Sequence, residues 1–293
     1  MPTHDPSLRT SPRTARLSCV QVALLFTAIV TPFEVALLES GDWGSGLFLT
    51  NRAIDVLFIT DICLQFVLIV EINQKGGQAR GLTYLTDQRS ITMRYLRGWF
   101  AIDVGSVLVS GIDIYSVGRD TGSLKNFKIF RVLRVLKLVK LFRLLRTSRI
   151  LRRWESQVAI NYGLLSLLSA VIEVFFAAHW VGCIWSLQAH LQTDLMDTWL
   201  SGTYCVPLLD AGGNVVPEEF DCVPASEQYA AAVYWAVMTI TSIGYGDIAA
   251  TPGNPYEQTA ATFLMLFSSL LWGQVARVTR ATFVTDVTTS LTL

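Results

Sequence analysis

Charge is scarce in this chain. Only 16% of its 293 residues are Asp, Glu, Lys or Arg, where a soluble domain carries about a quarter. Hydrophobic residues make up 52%, and the mean hydropathy is +0.44. These values exclude an ordinary soluble domain and describe a membrane protein. Lys plus Arg equals Asp plus Glu at 23 each, so the net charge is uninformative and no nucleic acid is expected as a partner. Between Trp154 and Ala276 basic residues are absent altogether, although eleven acids, from Glu155 to Glu257, lie there. Histidine is rare: His179 and His190 stand apart on an apolar segment, which favours packing or hydrogen bonding over metal ligation. No cofactor and no catalytic domain are expected. Of the five cysteines, Cys19, Cys63 and Cys183 sit in apolar segments as small hydrophobes. Cys205 and Cys222 flank a Gly/Asp/Pro-rich loop and are the candidates for a disulfide. No small-residue cleavage pattern follows the run Leu17–Leu38, so this run reads as a signal-anchor helix rather than a removable leader.

What is present is a series of apolar segments. Residues 1–16 are polar and expected to be disordered. Spans are expected at about 17–38, 54–72, 99–114, 125–150, 161–191 and 258–278. The second contains Asp55, Asp61 and Glu71, and the third Asp103. Carboxylates inside a bilayer are costly and by default functional, so cationic partners are expected for them. The basic stretch Lys75–Arg97 reads as a cytoplasmic loop under the positive-inside rule. Residues 192–226 read as an acidic loop, and 227–241 as a re-entrant helix too short to span, which only enclosing protein would tolerate. A Thr-rich tail, 281–293, is expected after the last span.

From Lys125 to Arg152 a basic residue recurs at every third position: Lys125, Lys128, Arg131, Arg134, Lys137, Lys140, Arg143, Arg146, Arg149 and Arg152. On an α-helix each step of three falls about 60° short of a turn, so the charges wind as a spiral. On a 3₁₀-helix, with about three residues per turn, they fall on one line. A basic amphipathic helix lying on lipid would show a 3.6 period instead. The period of three, with acids on two earlier spans, favours a voltage sensor.

The second chemical signal is Thr241-Ser242-Ile243-Gly244-Tyr245-Gly246-Asp247, placed between two apolar segments of spanning length. Glycines flanking one aromatic permit backbone conformations in which successive carbonyls turn toward one axis. Four copies around that axis would build oxygen cages that replace the hydration shell of a potassium ion. Asp194, Asp197, Asp210, Glu218, Glu219, Asp221, Glu227 and Glu257 are expected to surround the mouth and raise the local cation concentration.

Together these residues resemble the six-helix voltage-gated potassium channels over residues 17–280. More narrowly, the chain is similar to the cyclic-nucleotide-binding-domain superfamily, which includes the ether-à-go-go-type, plant-type and hyperpolarisation-activated channels. The narrower match rests on Ile54-Asp55 with Phe58, Asp61-Ile62-Cys63-Leu64-Gln65-Phe66, Tyr95 to Asp103, Arg143-Leu144-Leu145-Arg146, His179-Trp180 with Cys183 and Trp185, and Tyr234-Trp235. The family usually has Thr-Val-Gly-Tyr-Gly in the filter, where this chain has Ser242 and Ile243.

The resemblance implies an all-α membrane protein, with a four-helix voltage-sensor bundle at 17–153 and a pore domain at 154–280. The pore domain would carry a pore helix at 227–241 and a filter at 242–246. Potassium would pass on the backbone carbonyls of Ser242, Ile243, Gly244 and Tyr245, with no other metal. Lys125, Lys128, Arg131, Arg134, Lys137, Lys140 and Arg143 would be gating charges. Phe58 would be the aromatic plug of a charge-transfer centre, with Asp61 and Asp103 beneath it and Asp55 the further acid. Asp247, with Glu227, would be the acid that most affects the mouth, or would instead bond behind the filter to Trp235 as the family counterpart does. A homotetramer, or a hetero-tetramer with related subunits, is implied in a lipid bilayer, in the plasma membrane with both termini cytoplasmic. No cyclic-nucleotide site is expected within this chain. Two alternatives share these features: a hyperpolarisation-activated, weakly selective cation channel, and a truncated, non-conducting regulatory subunit.

Overall fold

The structure, a computed structural model, describes residues 12–38, 46–68, 70–73, 82–85, 87–117, 135–144, 162–210 and 212–291. The chain divides into two compact units, Met1–Thr31 with Ser40–Glu155, and Pro32–Glu39 with Ser156–Leu293. Helix α1, Pro12–Leu37, contributes to both, and the division falls at its internal Pro32. Because α1 starts at Pro12, residues 12–16 are helical rather than disordered. Proline suits the first helical position, where its fixed φ is already right and its missing N–H would have no partner.

In the first unit α2 runs Gly46–Gln65, which corrects the expected span 54–72 at both ends. The apolar residues beyond it form strand β1, Val70–Asn73, paired antiparallel with β2, Leu82–Leu85. Glu71 therefore lies in a strand opposite Tyr84, not on a spanning helix. A short apolar run does not distinguish helix from strand by itself, and the β-branched Val70 and Ile72 tip it to strand. The stretch expected as a loop also holds helix α3, Gln88–Arg97. Its N-cap Asp87 accepts from the Ser90 amide at 3.1 Å and the Ser90 hydroxyl at 2.7 Å. These bonds, the hydroxyl's first, hold the Asp87 carboxyl below its ordinary range. Helix α4 follows at Phe100–Val117. An edge-to-face cluster of Phe66, Tyr95 and Phe100 ties α3 and the start of α4 to the end of α2, with centroids 5.0–5.8 Å apart. Of the expected span 125–150 the structure describes 135–144, and Lys137–Leu141 is a 3₁₀-helix. Lys125, Lys128, Arg131 and Arg134 lie outside the described residues.

The second unit is built on α5, Tyr162–His190, with α6, Ala225–Ile240, and α7, Pro255–Leu291, packed against it. Its core centres on Trp185, which is fully buried and stacks on Trp235 of α6 with centroids 4.0 Å apart. Gly182 lets α5 approach α6 closely, since a Cβ there would lie 3.1 Å from the Val233 amide nitrogen. The expected loop 192–226 contains a 3₁₀ turn, Leu195–Asp197, and an antiparallel hairpin of β3, Cys205–Leu209, and β4, Val215–Cys222. The fold is thus mostly helical with two small sheets, rather than all-α.

Cys205 faces Cys222 in the hairpin register, and a disulfide joins them. It closes a loop with a sequence separation of 17, worth about 3 kcal/mol by chain entropy. Under oxidising conditions the intact protein should therefore leave both thiols unalkylated, and Cys222→Ser should speed amide exchange across β3 and β4. Alkylation of both without prior reduction would contradict the pairing.

The last helix extends to Leu291, so residues 281–291 of the expected tail continue a helix that also begins before residue 258. Its threonine hydroxyls find acceptors inside the helix, Thr279 on the Val275 carbonyl at 2.9 Å and Thr282 on that of Val278 at 3.1 Å. Among the described residues three helices are long and apolar enough to cross a membrane, Cys19–Leu37, Ser166–His190 and Pro255–Thr282, with a shorter apolar helix at Phe100–Gly111. Helix α2 is not among them because it carries three charged residues, Arg52, Asp55 and Asp61.

Candidate functional site

In the first unit Arg52, Asp55, Phe58 and Asp61 follow one another on α2 at steps of three, each neighbouring the next along a slow spiral. Asp55, Phe58 and Asp61 are all buried. On α4, Asp103, Ser106 and Ser110 share a face at i, i+3 and i+7 and are buried too. The basic segment meets both helices. Lys137 and Lys140, three residues apart on the 3₁₀-helix, share a line; Arg143 follows just past its end, and Lys140 and Arg143 are buried.

The guanidinium of Arg143 lies over the Phe58 ring, 4.1 Å from its centroid. Its Nε donates to the Ser106 hydroxyl, which itself donates to the Asp103 carbonyl at 2.7 Å. Among the described residues its two terminal nitrogens find no hydrogen-bond partner, and the aromatic face is their neighbour, an interaction worth about 2 kcal/mol when desolvated. Asp55, Asp103 and Asp61 all lie within electrostatic reach of this cation. Lys140 Nζ is 3.8 Å from Asp55 Oδ1, and the Ser110 hydroxyl donates to the same oxygen at 2.8 Å. Asp103 Oδ2 accepts from the Tyr95 hydroxyl at 2.7 Å, and Asp61 Oδ2 from Gln65 Nε2 at 3.3 Å. The crevice so formed holds cations between an aromatic ring and carboxylates one helical turn to either side. Sequence reasoning named Phe58 and the three aspartates but missed Arg52, Tyr95, Ser106 and Ser110. The signal for the serines was their i, i+3, i+7 spacing from Asp103 on an otherwise apolar helix.

In the second unit α6 ends in a Schellman motif. The Ile243 amide returns to the Met238 carbonyl at 2.9 Å, and that of Ser242 to Thr239 at 3.2 Å. The residue this motif places in the left-handed region is Ser242, at φ +60°. Gly244 and Gly246 follow at +58° and +82°, while Ile243 and Tyr245 between them are not left-handed. Positive φ thus recurs at every second residue. Serine pays a steric penalty there that glycine does not.

Asp247, exposed just past this segment, accepts from the Tyr234 hydroxyl at 2.8 Å. The expected partner, Trp235, is instead buried against Trp185. Successive residues on α6 point to different faces, and it is Tyr234 whose ring lies parallel to that of Tyr245. His179 Nδ1 lies 2.8 Å from the Tyr229 hydroxyl, within hydrogen-bond distance. His190 Nε2 donates to Gln228 Oε1 at 3.0 Å.

The acids expected at the mouth divide by their contacts. Glu257 is completely buried, which corrects its placement among them. Its Oε1 accepts from Gln188 Nε2 at 2.9 Å and the Trp199 amide at 3.2 Å, and its Oε2 from the Thr251 amide at 2.9 Å. Asp210 closes the hairpin loop, accepting from the Asn214 and Gly212 amides at 2.8 Å each. Those bonds, that from the Asn214 amide first, hold its carboxyl below the ordinary range. Asp194 caps the 3₁₀ turn through the Met196 amide. Asp197, Glu219, Asp221 and Glu227 are exposed.

Residues 17–272 match the family described as ion transport protein. The chain is similar to Potassium channel KAT4 of Oryza sativa subsp. japonica, 30% identical over 84% of this chain and 36% of that one. It is also similar to Potassium channel AKT2 of the same species, at 29% over 88% of this chain and 27% of the relative. Voltage-gated inwardly rectifying potassium channel KCNH7 of Mus musculus is 25% identical over 87% and 20%. The chain spans about a fifth to a third of the length of these relatives. The chain therefore belongs to the ion transport protein family: it is a largely helical membrane protein whose transmembrane region is of the voltage-gated potassium channel type.

Proposed function

We propose that the chain is one subunit of a voltage-gated potassium channel, in which four copies surround a single pore. Potassium conduction rests on one observation, the alternation of backbone hand from Ser242 to Gly246 at the end of a short, buried-faced helix. Four such segments would present the carbonyls of Ser242, Ile243, Gly244 and Tyr245 as successive rings that stand in for the ion's water. Voltage gating is supported by Arg143 on Phe58. As the basic segment moves, each cation in turn would cross the ring and find a carboxylate on the far side. A step of three residues on a 3₁₀-helix advances the segment by about 6 Å. One charge crossing 100 mV yields about 2.3 kcal/mol, so three charges in each of four subunits supply roughly 28 kcal/mol. The assembly would lie in the plasma membrane with both termini cytoplasmic, an orientation that puts the acid-rich 192–257 region outside.

Expression of the chain alone with recording of its current tests this directly. The reversal potential should follow the potassium gradient in mixed potassium and sodium, and conductance should change steeply with voltage. A reversal midway between the two equilibrium potentials would overturn selectivity. Conductance independent of voltage would overturn the sensor.

A further inference from the structure

Arg52 is a basic residue in the crevice that stands outside the spaced series. It sits on α2 one turn before Asp55, with Nη2 3.1 Å from Asp55 Oδ2. Its Nη1 donates to the main-chain carbonyl of Ser110 on α4 at 3.0 Å. The same guanidinium lies 5.1 Å from the centroid of the Phe48 ring. Lys140 approaches the other oxygen of that carboxylate less closely, at 3.8 Å. One aspartate, only 7% exposed, is therefore shared by two cations of different kinds. One is fixed to α2 and anchored at three points, and the other rides on the basic segment.

We propose that Arg52 is a tethered counter-cation that occupies Asp55 and so sets the voltage at which the basic segment moves. This rests on the reading of that segment as the moving charge. A planar guanidinium loses little freedom when its fork is already anchored, whereas an ammonium is strongly hydrated and sits on a flexible stem. Arg52 holds the carboxylate at shorter range and cancels much of the attraction that Asp55 alone would exert on Lys140. Asp55 is one turn before Phe58 and Asp61 one turn after it, so a cation at Asp55 has passed the ring toward the start of α2. With that end of α2 outward, Arg52 weakens the station that holds the segment in its outward position. Without Arg52, Asp55 would bind the passing cation in full, and outward positions would be favoured at every voltage.

The sign of the effect follows for charge movement, whichever direction of movement opens the pore. Gating charge would be measured from the full chain in a voltage-clamped membrane. Arg52→Gln should shift the charge–voltage curve to more negative potentials, raising the outward-to-inward ratio at the wild-type midpoint by roughly tenfold, within the usual range of coupling between sites. Arg52→Lys should restore most of the wild-type position. In an Asp55→Asn background Arg52→Gln should have no further effect, because the carboxylate it would release is gone. Arg52→Met, which keeps the aliphatic stem against Phe48, should shift the curve as Gln does.

No shift, a positive shift, or an equal shift without the Asp55 carboxylate would overturn the proposal. If both neutral variants fail to reach the membrane while Arg52→Lys does, Arg52 serves folding and the proposal also falls. Wild-type protein that moves no charge would instead overturn the sensor reading itself, a result distinguishable from all of these.

Discussion

Gly244→Ala is expected to abolish potassium current while leaving charge movement and surface expression intact. Gly244 has φ +58°, and an L-residue in the left-handed region costs about 1–2 kcal/mol. A Cβ at this position meets nothing within 4 Å in the single chain, so the penalty is one of backbone strain rather than collision. In the proposed tetramer it is incurred four times, about 4–8 kcal/mol in total. At about 1.4 kcal/mol per decade that disfavours the conducting geometry by roughly 10³ to 10⁶. Mixed tetramers should show the effect in graded form. Macroscopic current with gating charge recorded in the same cells is the measurement. Potassium-selective current of ordinary size from the variant would show that these glycines do not shape the path.

The second large effect is expected at Glu257. Its carboxylate joins three separate segments: Gln188 on α5, the Trp199 amide beyond that helix, and the Thr251 amide between the filter segment and α7. Glu257→Ala strands those donors in a buried site. Each lost bond to a charged acceptor is worth about 1.5–3 kcal/mol, so a loss of several kcal/mol is expected. That should lower the melting temperature of the solubilised protein sharply and cut surface expression. Glu257→Gln keeps the shape and one acceptor oxygen, and should fall between alanine and wild type. A Glu257→Ala protein as stable as wild type would mean that the described bonds contribute little.

The same residue shows where sequence reasoning stopped. Glu257 was read as a mouth acid because acids near a pore entrance draw cations, and no local pattern reveals that donors 6, 58 and 69 residues away converge on it. A local clue did exist. Asn254-Pro255 is a helix-start signal, and the Asn254 side chain accepts from the Glu257 amide at 3.1 Å. This places Glu257 in the first turn of a helix and not in a loop. The backbone pattern at Ser242–Gly246 was legible because it is local: a few consecutive residues, two of them glycines, determine their own φ. Phe58 with its flanking acids was legible because a helix repeats with a fixed period. Arg52 was not, since its meaning depends on a carbonyl of α4 that no periodicity predicts. The expected span reaches residue 72, into strand Val70–Asn73, because an alternation of only four residues does not stand out in sequence.

The length of α7 has a mechanical consequence. Its 37 residues extend about 55 Å at 1.5 Å per residue, well beyond the roughly 30 Å of a bilayer's hydrocarbon core. Gly273 lies near its middle, where a side chain would meet nothing within 4 Å and where glycine lowers the cost of bending the helix. The residues from Gly273 to the end of α7 form a rigid arm about 27 Å long. A bend of about 10° at that glycine swings its tip by about 5 Å. A small angle chosen inside the membrane is thereby amplified into a displacement larger than a water molecule at the far end. Pulling on that end would act back on the membrane segment with the same leverage.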